Sequence, residues 1–432
     1  MISLVRPSTS RRCRLASAKK VAWSAICYHT ALLPDSKTAT SEGLQLDRIE
    51  FYQSHLNRVS RSFAACIARL DSPLRSWVSL TYLMCRILDT VEDALWAKVS
   101  LQMRSFEELD RLIVRHSLAA DIATDMAADS TAADLAIDAK IEGPLALWIK
   151  MFPPGLPEGE KLLLSDTSRI ITDLKSAPEG VRKPIFELVR SMAAGMRHFA
   201  ERRAEAQGRL ELRGLKEVNQ YCFFVAGIVG ETLSKLLVAI EPDVKLTPAL
   251  VIDSHHFGLF LQKVNLLKDQ RQDELEGRFL VPSRDELFAS LRIHAEGAMR
   301  YIENIPDSRN DYRVFCAWSL FLGLGTLPLL RAFAEPTVGA DSALKIDRAA
   351  TEALFARIEE LSRDPLALRQ YFNELVEIAG LPLALSLVRD SKAPALLAQS
   401  TMPPQTLALP KWFADSYSGG LSAADLQVLG LV

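Results

Sequence analysis

The chain has 432 residues, 49% of them hydrophobic and 24% charged, with a formal net charge of −2. That length allows one large domain or two to three ordinary ones, and the composition is that of a globular chain with a sizeable core. The near-balanced charge excludes the basic footprint of a nucleic-acid-binding protein. Leu, Ala and Arg are abundant and two-residue alternation is scarce, so an all-α chain is expected.

Residues 1–44 carry Arg6, Arg11, Arg12, Arg14, Lys19, Lys20 and Lys37 against Asp35 and Glu42. They read as a basic, disordered extension, a targeting segment, or sequence upstream of the true start. A helix is expected over 46–70, and a second begins after Asp71-Ser72-Pro73 and runs to about Trp96. Further helices are expected at 103–118, 158–174 and 182–204, with a weakly patterned stretch at 119–140. After a connection at 205–214 come helices at 215–240, 248–275, 284–304, 311–334 and 347–378, and more helix to about 398. The helical domain is expected to span 45–398, and the tail 399–432 to pack loosely. The uncharged run Val314–Leu330 is shorter than the roughly 20 apolar residues of a membrane span and reads as a buried core helix. Nothing after residue 380 reads as a bilayer span. Cys13, Cys27, Cys66, Cys85, Cys222 and Cys316 form no C-x-x-C pair, which points to buried thiols in a reducing compartment.

Two of these helices carry acids at helical spacing. Asp89, Glu92 and Asp93 share a face, with Arg86 one turn earlier and apolar residues around the rest of the helix. Exposed, such like charges repel by a few tenths of a kcal/mol per pair. Buried, they need a partner or a metal. Asp269 and Asp273 repeat the pattern after an apolar run, with Asn265 one turn before. Either helix alone reads equally as a solvated acidic face. Facing each other across a bundle, the two can hold magnesium, which suits the departure of a diphosphate from an allylic carbon. The cavity around such chemistry should be apolar, with Phe63, Tyr82, Phe223, Phe224, Phe257 and Phe260 as candidate walls. Arg61, Arg86, Lys263, Lys268 and Arg278 are candidate phosphate grips. Gly227, Gly230 and Ser234 lie on one side of the 215–240 helix, leaving room either for a neighbouring helix or for a ligand. A di-iron bundle is set aside, because no histidine stands in a Glu-x-x-His pair beside either acidic helix; His255-His256 reads as a capping or surface doublet.

Several collinear motifs carry a resemblance. Ser60-Arg61-Ser62-Phe63-Ala64-Ala65, the run Tyr82–Asp93, Tyr221-Cys222 with Val225-Ala226-Gly227, Gly258–Lys263 with Asn265, Asp269 and Asp273, then Phe315-Cys316-Ala317 and Lys345-Ile346 together resemble the squalene synthases of the squalene/phytoene synthase family, over about residues 46–380. The resemblance implies an all-α, single-domain isoprenoid-synthase bundle with a central cavity. It implies the head-to-head coupling of two farnesyl diphosphates to presqualene diphosphate, followed by NADPH-dependent reduction to squalene. It assigns magnesium to Asp89, Glu92, Asp93, Asp269 and Asp273, and an acid/base role to Tyr221. It assigns substrate or cofactor contacts to Ser60, Arg61, Ser62, Phe63, Tyr82, Arg86, Gln262, Asn265, Lys268, Arg278, Phe315 and Lys345. A cytoplasmic monomer with at most peripheral membrane contact is expected.

The sequence departs from the family pattern at Lys268 and Gln272, where the second acidic motif usually has arginine and glutamate. It departs again at Trp318-Ser319, which replace a Pro-Gln pair, and at Asp347. These changes keep diphosphate ionisation and bear on the reductive half. The alternative expectation is a relative that stops at presqualene diphosphate, makes dehydrosqualene, or prenylates another acceptor without NADPH. A third is a helical scaffold without activity, against which the retained acids speak.

Overall fold

Apolar residues at helical spacing close a 20-residue helix, α3 (Leu74–Asp93), with Leu80, Leu83, Met84, Ile87, Leu88 and Val91 buried along it. The computed structural model describes residues 41–125, 143–332, 346–381 and 409–432, with side chains from residue 48 onward except at 61–62 and 114–125. Before α3 come α1 (Ser41–Val59) and α2 (Arg61–Ile67). After it come α4 (Val99–Asp125), α5 (143–149), α6 (Glu158–Ser165), α7 (Thr167–Lys175) and α8 (Glu179–Glu205). Helix α9 (Gly214–Cys222) passes through a π turn (Phe223–Gly227) into α10 (Ile228–Ile240). Then follow α11 (Pro248–Leu275), α12 (Arg284–Glu303), α13 (Asn310–Ala332), α14 (Arg348–Leu361), α15 (Pro365–Ile378), α16 (Lys411–Ser416) and α17 (Ala423–Val428). Among the described residues the one strand pairing is a two-residue parallel bridge of β1 (Leu210–Glu211) with β2 (Arg278–Phe279). The all-α expectation holds.

Helix α11 runs through the middle, packed on α10, α12 and α13. Its contact with the π turn and α10 is backbone against backbone. A Cβ on Gly258 would lie 2.2 Å from the Ala226 carbonyl oxygen, and one on Gly230 would lie 2.1 Å from that of Ser254. The glycines of 215–240 therefore serve close helix packing, which decides between the two readings of that stretch. Val314–Leu330 lies within α13, where Cys316, Leu320, Phe321, Leu324 and Leu327 are buried. α13 and the 214–240 segment are long and apolar enough to cross a bilayer, and most of each is covered by the fold.

Three expected helices divide. Residues 46–70 break at Ser60, which adopts an extended conformation. Residues 158–174 break at Asp166. Residues 347–378 break where Asp364 accepts from the Leu366 and Ala367 amides and Pro365 opens α15. Two expectations need correction. His255 and His256 are neither capping nor on the surface; both are buried in α11. The tail does not pack loosely over 409–432, since Phe413, Leu429 and Leu431 are fully buried. Of the basic extension expected over 1–44, residues 1–40 lie outside the described residues and 41–44 belong to α1 rather than being disordered; Lys345 and the helix proposed over 382–398 also lie outside them.

Candidate active site

The acidic face of α3 is built by spacing. Tyr82, Arg86, Asp89 and Glu92 are half-buried and Asp93 is exposed, while the residues between them fill the core. The helix end is tied down by Gln102, whose amide donates to the Val91 and Glu92 carbonyls at 3.1 and 2.9 Å. Arg86 lies between two acids. It pairs with Asp89 at 3.6 Å and hydrogen-bonds Glu160 of α6. Burial pushes the Asp89 carboxyl up to about 7, against the pull of Arg86. Burial and the neighbouring Asp93 push Glu92 up to about 8. These carboxylates are short of positive charge.

The second acidic helix end meets the first through Arg278. Its guanidinium reaches Asp93 at 2.7 Å, Asp273 at 2.8 Å and Glu276 at 2.9 Å. Burial opposes the arginine's charge, but Asp93 and Asp273 hold it protonated. The β1–β2 bridge sets its position: Leu210 N donates to Gly277 O at 2.9 Å and Leu212 N to Phe279 O at 3.1 Å. Gly277 supplies the left-handed turn (φ +79) between α11 and β2. Burial pushes Asp273 up to about 6, with Arg278 pulling the other way. Asp269 is 53% exposed and pairs with Lys268 at 3.3 Å.

Tyr221 comes from a third helix, α9. Its hydroxyl donates to Glu92 Oε1 at 3.4 Å, and burial with Glu92 alongside keeps the phenol protonated, well above its ordinary range. The structure thus brings together Asp89, Glu92, Asp93, Asp273, Arg86, Arg278 and Tyr221. Among the described residues no three His, Cys, Asp or Glu side chains converge closely enough to form a metal-binding group. The donor set, oxygen-rich and acid-heavy, has the chemistry of a hard divalent cation. Arg86 Nε and Arg278 Nε are buried without a hydrogen-bond partner, leaving donors that an anion could use.

The other expected residues divide. The Tyr82 ring, one turn before Arg86 on α3, lies 5.8 Å from that of Phe63, and Ser60 precedes α2, which carries Phe63. Gln262 and Asn265 are half-buried on α11 at three-residue spacing, with Asp269 four further on. Gln272 turns to Glu276 instead, at 2.6 Å. The side chains of Arg61 and Ser62, and Lys345, fall outside the described set. Phe315 is closed into the core against Tyr312. Phe223, Phe224 and Phe260 are fully buried core residues, and Phe257 packs on Tyr301, so the open aromatic wall reduces to Phe63 and Tyr82. Lys263 is no phosphate grip. It is fully buried and bonds Ser290 and His294. Glu160 and Glu276, which hold the two arginines, carry no spacing signal; each acquires its role only through tertiary contact.

The squalene/phytoene synthase family profile matches residues 56–289, more than half of the chain. The chain belongs to that family. It is 28% identical to squalene synthase 1 of Arabidopsis thaliana over 65% of this chain and 64% of that protein. It is 27% identical to the squalene synthase of Homo sapiens over 53% of this chain and 45% of that one. The aligned part therefore spans from under half to just under two thirds of these relatives. A solved structure of TcSQS with a bound ligand superposes with a TM-score of 0.57 at 20% identity, covering 89% of this chain and 98% of that one. That likeness establishes the isoprenoid-synthase fold.

Proposed function

We propose that the chain joins two farnesyl diphosphates head to head, with the facing ends of α3 and α11 as the diphosphate-handling centre. One observation carries this: in a member of this family, Asp93 and Asp273 meet on a single guanidinium, Arg278, while Tyr221 reaches Glu92 from a third helix. Magnesium, held by Asp89, Glu92, Asp93, Asp269 and Asp273, would neutralise the leaving diphosphate. Arg86 and Arg278 then turn their spare donors to phosphate oxygens. Tyr221 Oη keeps its proton at neutral pH and donates a hydrogen bond to Glu92, which holds the phenol as the acid/base group for the coupling. Phe63 and Tyr82 shield the cation left by ionisation.

Of the bases the resemblance places on phosphate or dinucleotide, Arg86 belongs to the diphosphate centre, Lys268 pairs with Asp269, and Arg61's side chain and Lys345 lie outside the described residues. The coupling step needs no dinucleotide. A second reading, in which the enzyme stops at presqualene diphosphate or forms dehydrosqualene, is favoured by Trp318. Its ring stacks on Phe355 at 4.0 Å and its indole donates to the Phe355 carbonyl, so the side chain that stands where the family pattern has proline is packed against α14.

The test is incubation with farnesyl diphosphate and Mg²⁺, with and without NADPH, followed by product analysis. Squalene formed only with NADPH supports the full reaction. Presqualene diphosphate or dehydrosqualene in both arms supports the second reading, and no consumption of any prenyl diphosphate overturns both. The same reading has a cytoplasmic monomer meeting a membrane only at its surface, because the substrate is lipid-tailed. Sedimentation and vesicle flotation check those two points.

A further inference from the structure

Residues 409–432 lie beyond the stretch matched by the family profile, yet they grip the helix that carries Tyr221. Asn219 Nδ2 donates to the carbonyls of Leu429 and Gly430 at 3.3 and 3.0 Å, and Gln220 Nε2 donates to that of Leu431 at 2.8 Å. These are the two residues just before Tyr221. Just after it, Phe223 and Phe224 enclose Phe413, with ring centroids at 5.2 and 4.7 Å. Trp412 stacks flat on His198 at 3.8 Å and meets Phe199 edge-on at 5.5 Å. Phe199 in turn meets the Tyr221 ring edge-on at 5.1 Å. Tyr417 closes the far side, its hydroxyl donating to Glu231 at 2.6 Å.

We propose that residues 409–432 form a positioning strap that fixes Tyr221 against Glu92. Side-chain amides to one side of Tyr221 in sequence and an aromatic stack to the other both terminate on this segment. The Tyr221 hydroxyl is thereby aimed from outside the acidic site. α9 ends in a π turn, a conformation that departs from α-helical bonding, so this segment depends on neighbours to hold its register. The strap ends fit closely: Gly430 has φ +66, and a Cβ there would lie 2.5 Å from Asn219 Nδ2. The catalytic consequence rests on the acid/base reading of Tyr221; the mechanical one does not.

The experiment uses the full chain with Gly430→Ala and Trp412→Ala, and Trp412→Phe as the conservative partner that keeps a ring on His198. Steady-state consumption of farnesyl diphosphate with Mg²⁺ is read beside amide hydrogen exchange. The expected result is a fall in kcat of about tenfold with KM unchanged, since a small misplacement of a reacting group costs rate and leaves binding intact. Exchange should rise over 214–228 while α3 and α11 stay protected, and Trp412→Phe should restore both. Wild-type kcat and protection in both alanine variants overturn the strap, as does exchange raised uniformly through the protein. If the wild-type chain consumes no prenyl diphosphate, the functional reading fails while the exchange arm still decides the strap: opening confined to 214–228 upholds it, and no change or uniform change overturns it.

Discussion

Helix α11 carries two polar clusters of opposite sign, and the protein treats them differently. At its C-terminal end Asp273 shares Arg278 with Asp93 of α3, and solvent reaches Asp269 and Asp93 (53% and 47% exposed side chains). In its middle, Lys263 bonds Ser290 at 2.9 Å and His294 at 2.7 Å, and His294 bonds His256 at 2.8 Å, all of them sealed from solvent. No carboxylate pairs with that lysine in the bonds it makes. The acidic cluster can be neutralised by something arriving from outside. The basic one can be neutralised only by losing a proton, and burial accordingly brings Lys263 down to about 7 and His256 to about 3. An excess charge left open to solvent is a place for a ligand; one closed off is a cost carried by the fold.

The largest effect should come from breaking the open cluster at Asp89, the acid paired with Arg86. Asp89→Asn is expected to lower prenyl diphosphate consumption by at least about a thousandfold, the scale of losing a main electrostatic contact to a leaving group. Asp269→Asn, at a more exposed position already paired with Lys268, should cost closer to tenfold on the same scale. Equal turnover in Asp89→Asn and the wild type would sink the assignment of that face. Next comes Arg278→Met, which strands Asp93, Asp273 and Glu276 beside one another. We expect a loss of about 2 kcal/mol in urea unfolding, below the usual figure for a buried pair because Asp93 is half open to water. A midpoint unchanged from wild type would show that the bridge contributes nothing.

The legibility of the sequence follows the same division. Asp89, Glu92 and Asp93 announce themselves by spacing, because one helix face is a local property, and α11 spans 248–275 as expected. The all-α class is legible for the same reason. Arg278 was visible as a base in a turn, but its clasp on Asp93 is fixed by a strand bridge to residues 67 or more positions away in the chain (Leu210↔Arg278, Glu211↔Phe279). Spacing says nothing about such a bridge. Glu160 is in the same position. Lys263 and His255-His256 misled for a converse reason. Polar residues on a helix usually face water, and these are buried because Ser290 and His294 of α12 and the Gly227 carbonyl supply their hydrogen bonds. The tail 399–432 reads as loose because it holds Pro403, Pro404, Pro410 and a glycine pair, whereas the aromatics of its described part, 409–432, fill the groove beside Phe223 and Phe224.

The open cluster also sets a pH dependence. Asp89, Glu92 and Asp273 are raised to about 7, 8 and 6 from ordinary values of 3.8, 4.5 and 3.8. The folded chain therefore holds more protons than the unfolded chain between about pH 4 and 8. The stability these groups contribute is present at low pH and is lost as pH rises through the folded values. Compared with an Asp89→Asn, Glu92→Gln double variant, which shares the other titrating groups, the metal-free wild type should lose more melting temperature between pH 5 and pH 8. Millimolar Mg²⁺ should raise the melting temperature more at pH 8, where the carboxylates are ionised and free to bind. An equal Mg²⁺ shift at the two pH values would separate the cation from these carboxylates, as would a shift retained in an Asp89→Asn, Glu92→Gln double variant.

The smallest effect tests the sealed cluster. Lys263 titrates at about 7 in the folded chain and at 10.5 when unfolded, so between those values the unfolded state binds the extra proton. Stability should therefore climb with pH across that window and fall as pH drops toward 7. Lys263→Met fills a similar volume without an amine. It leaves His294 short of one hydrogen bond, a cost of about 1 kcal/mol at every pH, while Ser290 keeps its bond to the Leu287 carbonyl at 2.7 Å. Between pH 7 and 8.5 the urea midpoint of the wild type should gain on that of the variant, because the other titrating groups are common to both. Burial also lifts the neighbouring Cys222 thiol from 9.0 to about 12, so above pH 9 its ionisation in the unfolded chain lowers stability, and the comparison is kept below that pH. Parallel slopes in the two proteins would mean that Lys263 keeps its charge in the core, and the contrast between an open cluster and a sealed one would then lose its electrostatic basis.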